Sequence, residues 1–146
     1  MNECRKHLLR LTNAYNKMQS FIPLDTEKYQ NLSENEITYI DQYLFRFSKL
    51  QDAIGNRLFK AVLNYLGEQT EGVAIIDLFN KLEKLGVVEN YDNWMKLREV
   101  RNVVAHEYEV DTLENAERIN TIHSLKPGLE KYFLSIEEFI AKRSET

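Results

Sequence analysis

Residues 97–108 read LREVRNVVAHEY. At about 100° per residue on a helix, Leu97, Val100, Val103 and Val104 cover one apolar arc. Arg98, Asn102 and His106 fall on an i, i+4, i+8 stripe elsewhere on the surface. Arg101 sits at the edge of the apolar arc, near Trp94 and Ala105, where its stem can be buried and its head sent outward. A cation, an amide and an imidazole therefore project from the end of one helix. That set suits phosphodiester chemistry. Histidine titrates near neutral pH, so it can take a proton from a ribose 2′-OH or return one to a leaving oxygen. Arginine offers a fixed fork of donors to phosphate oxygens and can offset the charge that develops in a transition state. Asn102 can orient the guanidinium or donate to a phosphate. RNA carries its own nucleophile in the 2′-OH, so neither a metal nor another cofactor is expected. One His and one Arg make a thin site for both acid and base roles. Two copies facing each other across a dimer supply a fuller one.

The Arg-x4-His spacing by itself is weak, and the chain holds a second copy in Arg118 and His123. There Ile119 follows the arginine, Leu125 stands where Tyr108 stands in the first copy, and apolar Ile119 and Ile122 point to the middle of a helix. Arg118 and His123 are expected to be a surface residue and a core-edge residue. The signal lies in the longer string Arg101-Asn102, then His106, then Tyr108. Its plain alternatives are a cation favoured at a helix C-terminus and a tyrosine that closes the end of a bundle. Cys4 and His7 lack ligand spacing, so a structural zinc is not expected. Tyr39, Tyr43, Phe45, Phe47, Phe59 and Tyr65 recur at helical spacing, which favours core and dimer packing over base stacking. Lys81, Glu83 and Lys84 read as a solvated helix face.

Helices must position this string. Residues 2–21 carry Leu8, Leu9, Leu11, Tyr15, Met18 and Phe21 at helical spacing. Pro23 and the polar stretch to Leu32 read as a connection. Ser33 and Glu36 then form a capping box, and a very long helix is expected over 34–66. Its stripe is Ile37, Ile40, Leu44, Phe47, Leu50, Ile54, Leu58, Val62 and Leu66, with Gly67 as a left-handed stop. Gly55 lies inside that helix, where glycine costs about 1 kcal/mol against alanine; close approach of another helix would compensate. A shorter helix is expected over 73–85, stopped by Gly86, and the next over 92–107, capped by Asp92. A last helical pattern starts at a capping-box-like Asp111 and runs to 142, broken or kinked by Pro127. No strand is expected. The fold class is all-α: an up-and-down four-helix bundle with an additional short helix, as a homodimer.

The 146 residues suit a single domain spanning 1–146. Five Gly and two Pro are too few for the turns of an all-β sandwich. The formal charge of −4 gives no global nucleic-acid footprint, so any such contact must be local. A single cysteine forms no intrachain disulfide and fits a reducing compartment. The start MNECRKHLLRL lacks the apolar stretch of a signal peptide, and nothing approaches a membrane span. A soluble, cytoplasmic protein without a membrane partner is expected.

The string Arg-Asn-x-x-x-His-x-Tyr resembles the signature of the HEPN superfamily of small helical-bundle proteins. The tyrosine two positions after the histidine makes it look like the HepT-type toxins, which are paired with minimal nucleotidyltransferase antitoxins. The specific part of the resemblance is about eight residues, and the helix count and order extend it over most of the chain. It implies a metal-independent endoribonuclease acting as a homodimer, with two Arg-x4-His motifs meeting in a composite cleft. Arg101 and His106 would then be catalytic, with Asn102 supporting them. The substrate would be RNA, with tRNA one candidate. Tyr108 would be the residue that the cognate nucleotidyltransferase modifies with AMP, which adds charge and bulk beside the cleft. Lys96 and Arg98 are candidate contacts to the RNA backbone. A second reading stays open: a non-catalytic nucleotide- or substrate-binding accessory subunit of a nucleotidyltransferase.

Overall fold

A computed structural model describes residues 1–100, 102 and 112–144. Among them every regular element is helical, and no strand is present. Helix α1 spans Asn2–Met18, α2 Thr26–Gln30, α3 Glu34–Ala53, α4 Phe59–Tyr65, α5 Ile75–Lys84, α6 Tyr91–Arg98, α7 Thr112–Ser124 and α8 Lys126–Ser144. Helices α3 and α4 are one continuous rod, joined through a π-helical turn at Ile54–Leu58. No described helix is long and apolar enough to cross a membrane.

The rod begins with the expected capping box. The Glu36 N–H donates to Ser33 Oγ at 3.1 Å, and the Ser33 N–H donates to Glu36 Oε1 at 2.8 Å. It ends as expected at Gly67, whose φ of 82° is open to glycine at no steric cost. There the Glu68 N–H closes back on the Leu63 carbonyl at 2.9 Å, satisfying one of the helix's free acceptors. Helix α5 ends the same way at Gly86, with the Val87 N–H on the Leu82 carbonyl. Along the rod Ile40, Leu44, Phe47, Leu50, Ile54, Leu58 and Val62 are buried and form the spine of the core. Each such burial is worth about 1.5–3 kcal/mol against exposure, which outweighs the local cost of Gly55. Helix α1 covers the first half of the rod through Leu11, Ala14 and Met18. Helices α5 and α6 cover the second half.

Four local expectations change. The connection after Pro23 contains α2, capped by the Asp25 carboxylate accepting from the Lys28 N–H at 2.8 Å. The five-residue helix is too short to show a hydrophobic period, and the Asn120 amide fixes its approach by bonding both backbone groups of Leu24. Helix α6 starts at Tyr91 rather than Asp92, because Asn90 takes the cap and accepts from the Asn93 N–H at 3.2 Å. The last helical pattern breaks at Leu125, two residues before Pro127. Pro127 is accommodated in the first turn of α8, where a missing N–H costs nothing. Finally, Leu9 and Ile37, placed on the apolar stripes, are exposed. Asp111, the expected cap of α7, lies outside the described residues.

Candidate functional site

The end of α6 leads into the string singled out above. Arg101, His106 and Tyr108 lie outside the described residues. Lys96, Arg98 and Asn102 are described, and all three are exposed. The apolar arc behind them is buried as expected: Trp94, Leu97 and Val100 all face the core. The Asn102 N–H bonds the Glu99 carbonyl at 3.0 Å, so a helical turn carries the chain past Arg98.

Trp94 fixes the position of α6. Its indole is 1% exposed and lies against Gly55 in the π-helical turn. A Cβ at Gly55 would sit 3.0 Å from Trp94 Cζ2, closer than packed carbons normally approach. The glycine inside the long rod is therefore there for close approach, as its position suggested. The indole also meets Phe59 at 5.0 Å and the edge of Tyr132 at 5.1 Å between ring centroids. The Tyr132 hydroxyl donates a shared hydrogen bond to the carbonyls of Glu89 and Asn90, at 2.6 and 2.8 Å. This ties the loop before α6 to α8. Burial first, and then the charges of Glu89 and Glu83, push the Tyr132 phenol up to about 12, so it remains a donor at neutral pH.

Lys96 and Arg98 leave α6 on opposite flanks, as a two-residue step on a helix demands. Arg98 borders a small cleft of about 30 Å³ with Gln51, Asp52, Gly55 and Asn56. Gln51 is 3% exposed, and its Oε1 has no hydrogen-bond partner among the described residues. The cleft can hold one water against that oxygen. π-helical turns often occur at functional sites, and this one sets both the indole and the cleft. Lys96 borders a larger groove between α6 and α8, with Asn93, Gly128, Lys131 and Tyr132. The structure thus does not bring the two proposed RNA-backbone cations together.

The second Arg-x4-His copy takes the structural role expected of it. Arg118 pairs with Glu114 one turn away at 2.9 Å. His123 is buried and stacks on Tyr15 at 4.3 Å. Cys4 is buried, and its thiol is pushed up by burial. His7 Nδ1 lies 3.0 Å from Arg46 Nη1, and the ring is held low by burial and by that guanidinium. Among the described residues no three His, Cys, Asp or Glu side chains come together as a metal site. Of the aromatic side chains assigned to packing, Tyr43, Phe47 and Phe59 are buried, while Phe45 and Tyr65 are exposed. Sequence reasoning missed Lys131 and Gly128. Gly128 was the available signal, an isolated glycine inside a helical pattern.

Comparison with protein-family models, with curated proteins and with solved structures finds no match.

Proposed function

We propose that this chain is a HepT-like ribonuclease toxin of the HEPN type, built as a four-helix bundle with an additional short helix. It works in the cytoplasm as a homodimer and cuts RNA without a metal. The observation that carries the reading is the string Arg101-Asn102, His106, Tyr108, which follows directly on α6. Two features support it. The helix leading into the string is pinned by an indole on a glycine, which gives projecting side chains a fixed base. Exposed Leu9, Phe45 and Tyr65 offer apolar surface for a second copy to cover.

In this reading His106 takes the proton from the 2′-OH, and Arg101 holds the scissile phosphate and offsets its growing charge. Asn102 orients the guanidinium. The 2′-oxygen attacks phosphorus, the P–O5′ bond breaks, and the products are a 2′,3′-cyclic phosphate and a 5′-hydroxyl. The leaving oxygen takes its proton from an acid across the dimer cleft. Arg98 and Lys96 contact the RNA backbone on two different flanks. Transfer of AMP to Tyr108 by the partner nucleotidyltransferase silences the site by charge and bulk.

The test is cleavage of total tRNA in EDTA by wild type beside His106→Ala. Intact mass first confirms that Tyr108 carries no AMP. Cleavage by the wild type and none by His106→Ala, with equal helical circular dichroism, is the expected result. Cleavage by a clean His106→Ala preparation, or none by unmodified wild type on tRNA, mRNA and ribosomal RNA, overturns the reading.

A further inference from the structure

The first turns of α1 carry a charged network that the proposed site does not use. Arg57 donates to both oxygens of Glu3, at 2.6 and 3.0 Å. Arg57 belongs to the π-helical turn at Ile54–Leu58, whose Gly55 lies against the Trp94 indole. One turn along α1 from Glu3, His7 reaches across to α3. Its Nδ1 lies 3.0 Å from Arg46 Nη1, and its Nε2 lies 3.7 Å from Glu3 Oε1. The ring therefore stands between a guanidinium and a carboxylate that is already engaged elsewhere.

The Arg46 contact fixes the state of that ring. A guanidinium stays charged and offers donors only. At 3.0 Å, Nδ1 must be the acceptor, so the ring's proton sits on Nε2 and the ring is neutral. A proton added at Nδ1 would set two donors and two positive charges against each other. On the far side the same proton favours Glu3, because a charged imidazole then faces a carboxylate. Glu3 is ready to answer it. Its hydrogen bond with Arg57 holds the carboxyl below its ordinary value, so it stays ionised wherever an imidazole titrates. Arg57 and a charged His7 then compete for one carboxylate.

We propose that His7 is a proton-operated latch between α1 and the rod: charging it expels Arg46, draws Glu3 away from Arg57 and loosens the π-helical turn beneath Trp94. The charged groups that act on the ring are Arg46 and Lys49 from α3 and Glu3 from its own helix, with Arg57 acting through Glu3. Lys6 and Arg10, also on α1, are exposed. Cys4 is buried, and burial pushes its thiol up, so it stays neutral. Burial first, and then Arg46, pull the imidazole below its ordinary value against the opposing pull of Glu3. The latch is therefore fully closed above the ordinary imidazole range and opens as pH falls below it toward the folded value.

The test is a titration of the wild-type chain from about pH 8 to about pH 5, a range that spans the ordinary imidazole value. Nitrogen NMR of labelled histidine follows each ring, and the His7 signal is the one lost in His7→Gln. Fluorescence of Trp94, the single tryptophan, is followed over the same range. At the alkaline end the His7 ring should show a bare Nδ1. Its midpoint should rise in Arg46→Gln and fall in Glu3→Gln. The Trp94 emission should change with the His7 midpoint in wild type. That phase should be absent from His7→Gln and from Glu3→Gln, where Arg57 has no carboxylate to lose. A proton on Nδ1 at the alkaline end, an unchanged midpoint in Arg46→Gln, or no Trp94 phase in wild type overturns the proposal. So does a Trp94 phase at that midpoint that survives in either His7→Gln or Glu3→Gln. None of these readouts involves RNA, so the latch and the nuclease reading fail separately.

Discussion

Two aromatic clusters sit at opposite halves of the long rod, and they are held in different ways. Around Tyr43, the rings of Tyr15, Phe47 and His123 join α1, α3 and α7. That cluster is closed by hydrogen bonds: the Tyr43 hydroxyl donates to the Ile122 carbonyl at 2.7 Å, with the His123 carbonyl at 3.1 Å. Around Trp94, the rings of Phe59, Phe79, Tyr91 and Tyr132 join α4, α5, α6 and α8. That cluster too has a tyrosine hydroxyl on two carbonyls, Tyr132 on Glu89 and Asn90, but at its centre it is closed by shape, with the indole against a glycine. The first holds His123 inside the framework, with Arg118 nearer the surface in its ion pair with Glu114. The second places α6, whose outward side chains Lys96 and Arg98 are exposed.

The comparison breaks most visibly at Trp94. Trp94→Ala leaves a cavity where Phe59 and Tyr132 now meet the indole, at a cost of about 3–5 kcal/mol. Denaturant unfolding should show that loss. Under the proposed function, RNA cleavage should fall further than the residual folded fraction explains, because α6 loses its anchor. A loss below about 1 kcal/mol would mean that the neighbours collapse onto the site and that shape does not close this cluster.

Gly55→Ala tests the same contact from the other side. Alanine gains up to about 1 kcal/mol of helix propensity. Against it stands overpacking of about 1–3 kcal/mol, since the indole is enclosed and cannot yield easily. A net loss of stability is expected. Combining Gly55→Ala with Trp94→Phe should recover part of it in a double-mutant cycle. A stabilising Gly55→Ala would show that the indole moves aside.

The sequence made these two clusters legible to different depths. The long rod was readable because its stripe, its capping box and its terminal glycine all agree on one element. Gly55 was readable as a contact, although its partner was not, since a pattern gives the face of a helix and not what meets it. The short α2 was missed because five residues carry less than two turns of period. The break before α8 was placed at Pro127 because proline is a strong signal, yet its chemistry is satisfied in a first turn. At the candidate site, the outward placement of Arg98 and Asn102 was legible from the wheel. The separation of Lys96 from Arg98 into two clefts depends on α8 and on the π-helical turn, which are remote in sequence. Lys131 and Gly128 were missed for the same reason.

The hydrogen-bonded cluster should respond less to a single change. Tyr43→Phe keeps the ring and removes one donor, leaving the carbonyls at the end of α7 less well satisfied. A loss of about 1 kcal/mol is expected by chemical denaturation. Under the proposed function, cleavage should persist, because α6 is held elsewhere. Loss of cleavage without loss of stability would show that the two clusters communicate.

The smallest effect separates the clusters by pH. Burial pulls the His123 imidazole below its ordinary value, opposed by its contact with the Tyr15 carbonyl at 3.4 Å. Tyr15 and Tyr43 pack against the ring, and the Lys126 ammonium lies over Tyr15, so no carboxylate in these contacts favours the charged form. As pH falls, the unfolded chain therefore protonates His123 before the folded one does. The stability owed to the neutral ring is full above the ordinary imidazole range and is lost as pH falls below it toward the folded value. Wild type should thus lose more stability between about pH 7.5 and about pH 5.5 than His123→Phe, which keeps a stacked ring and cannot take a proton. The Trp94 cluster has no imidazole among its described rings, so Trp94→Phe should keep the wild-type slope. Parallel losses in wild type and His123→Phe would mean that the buried ring is not what senses pH, and that the second Arg-x4-His copy does not carry this titration.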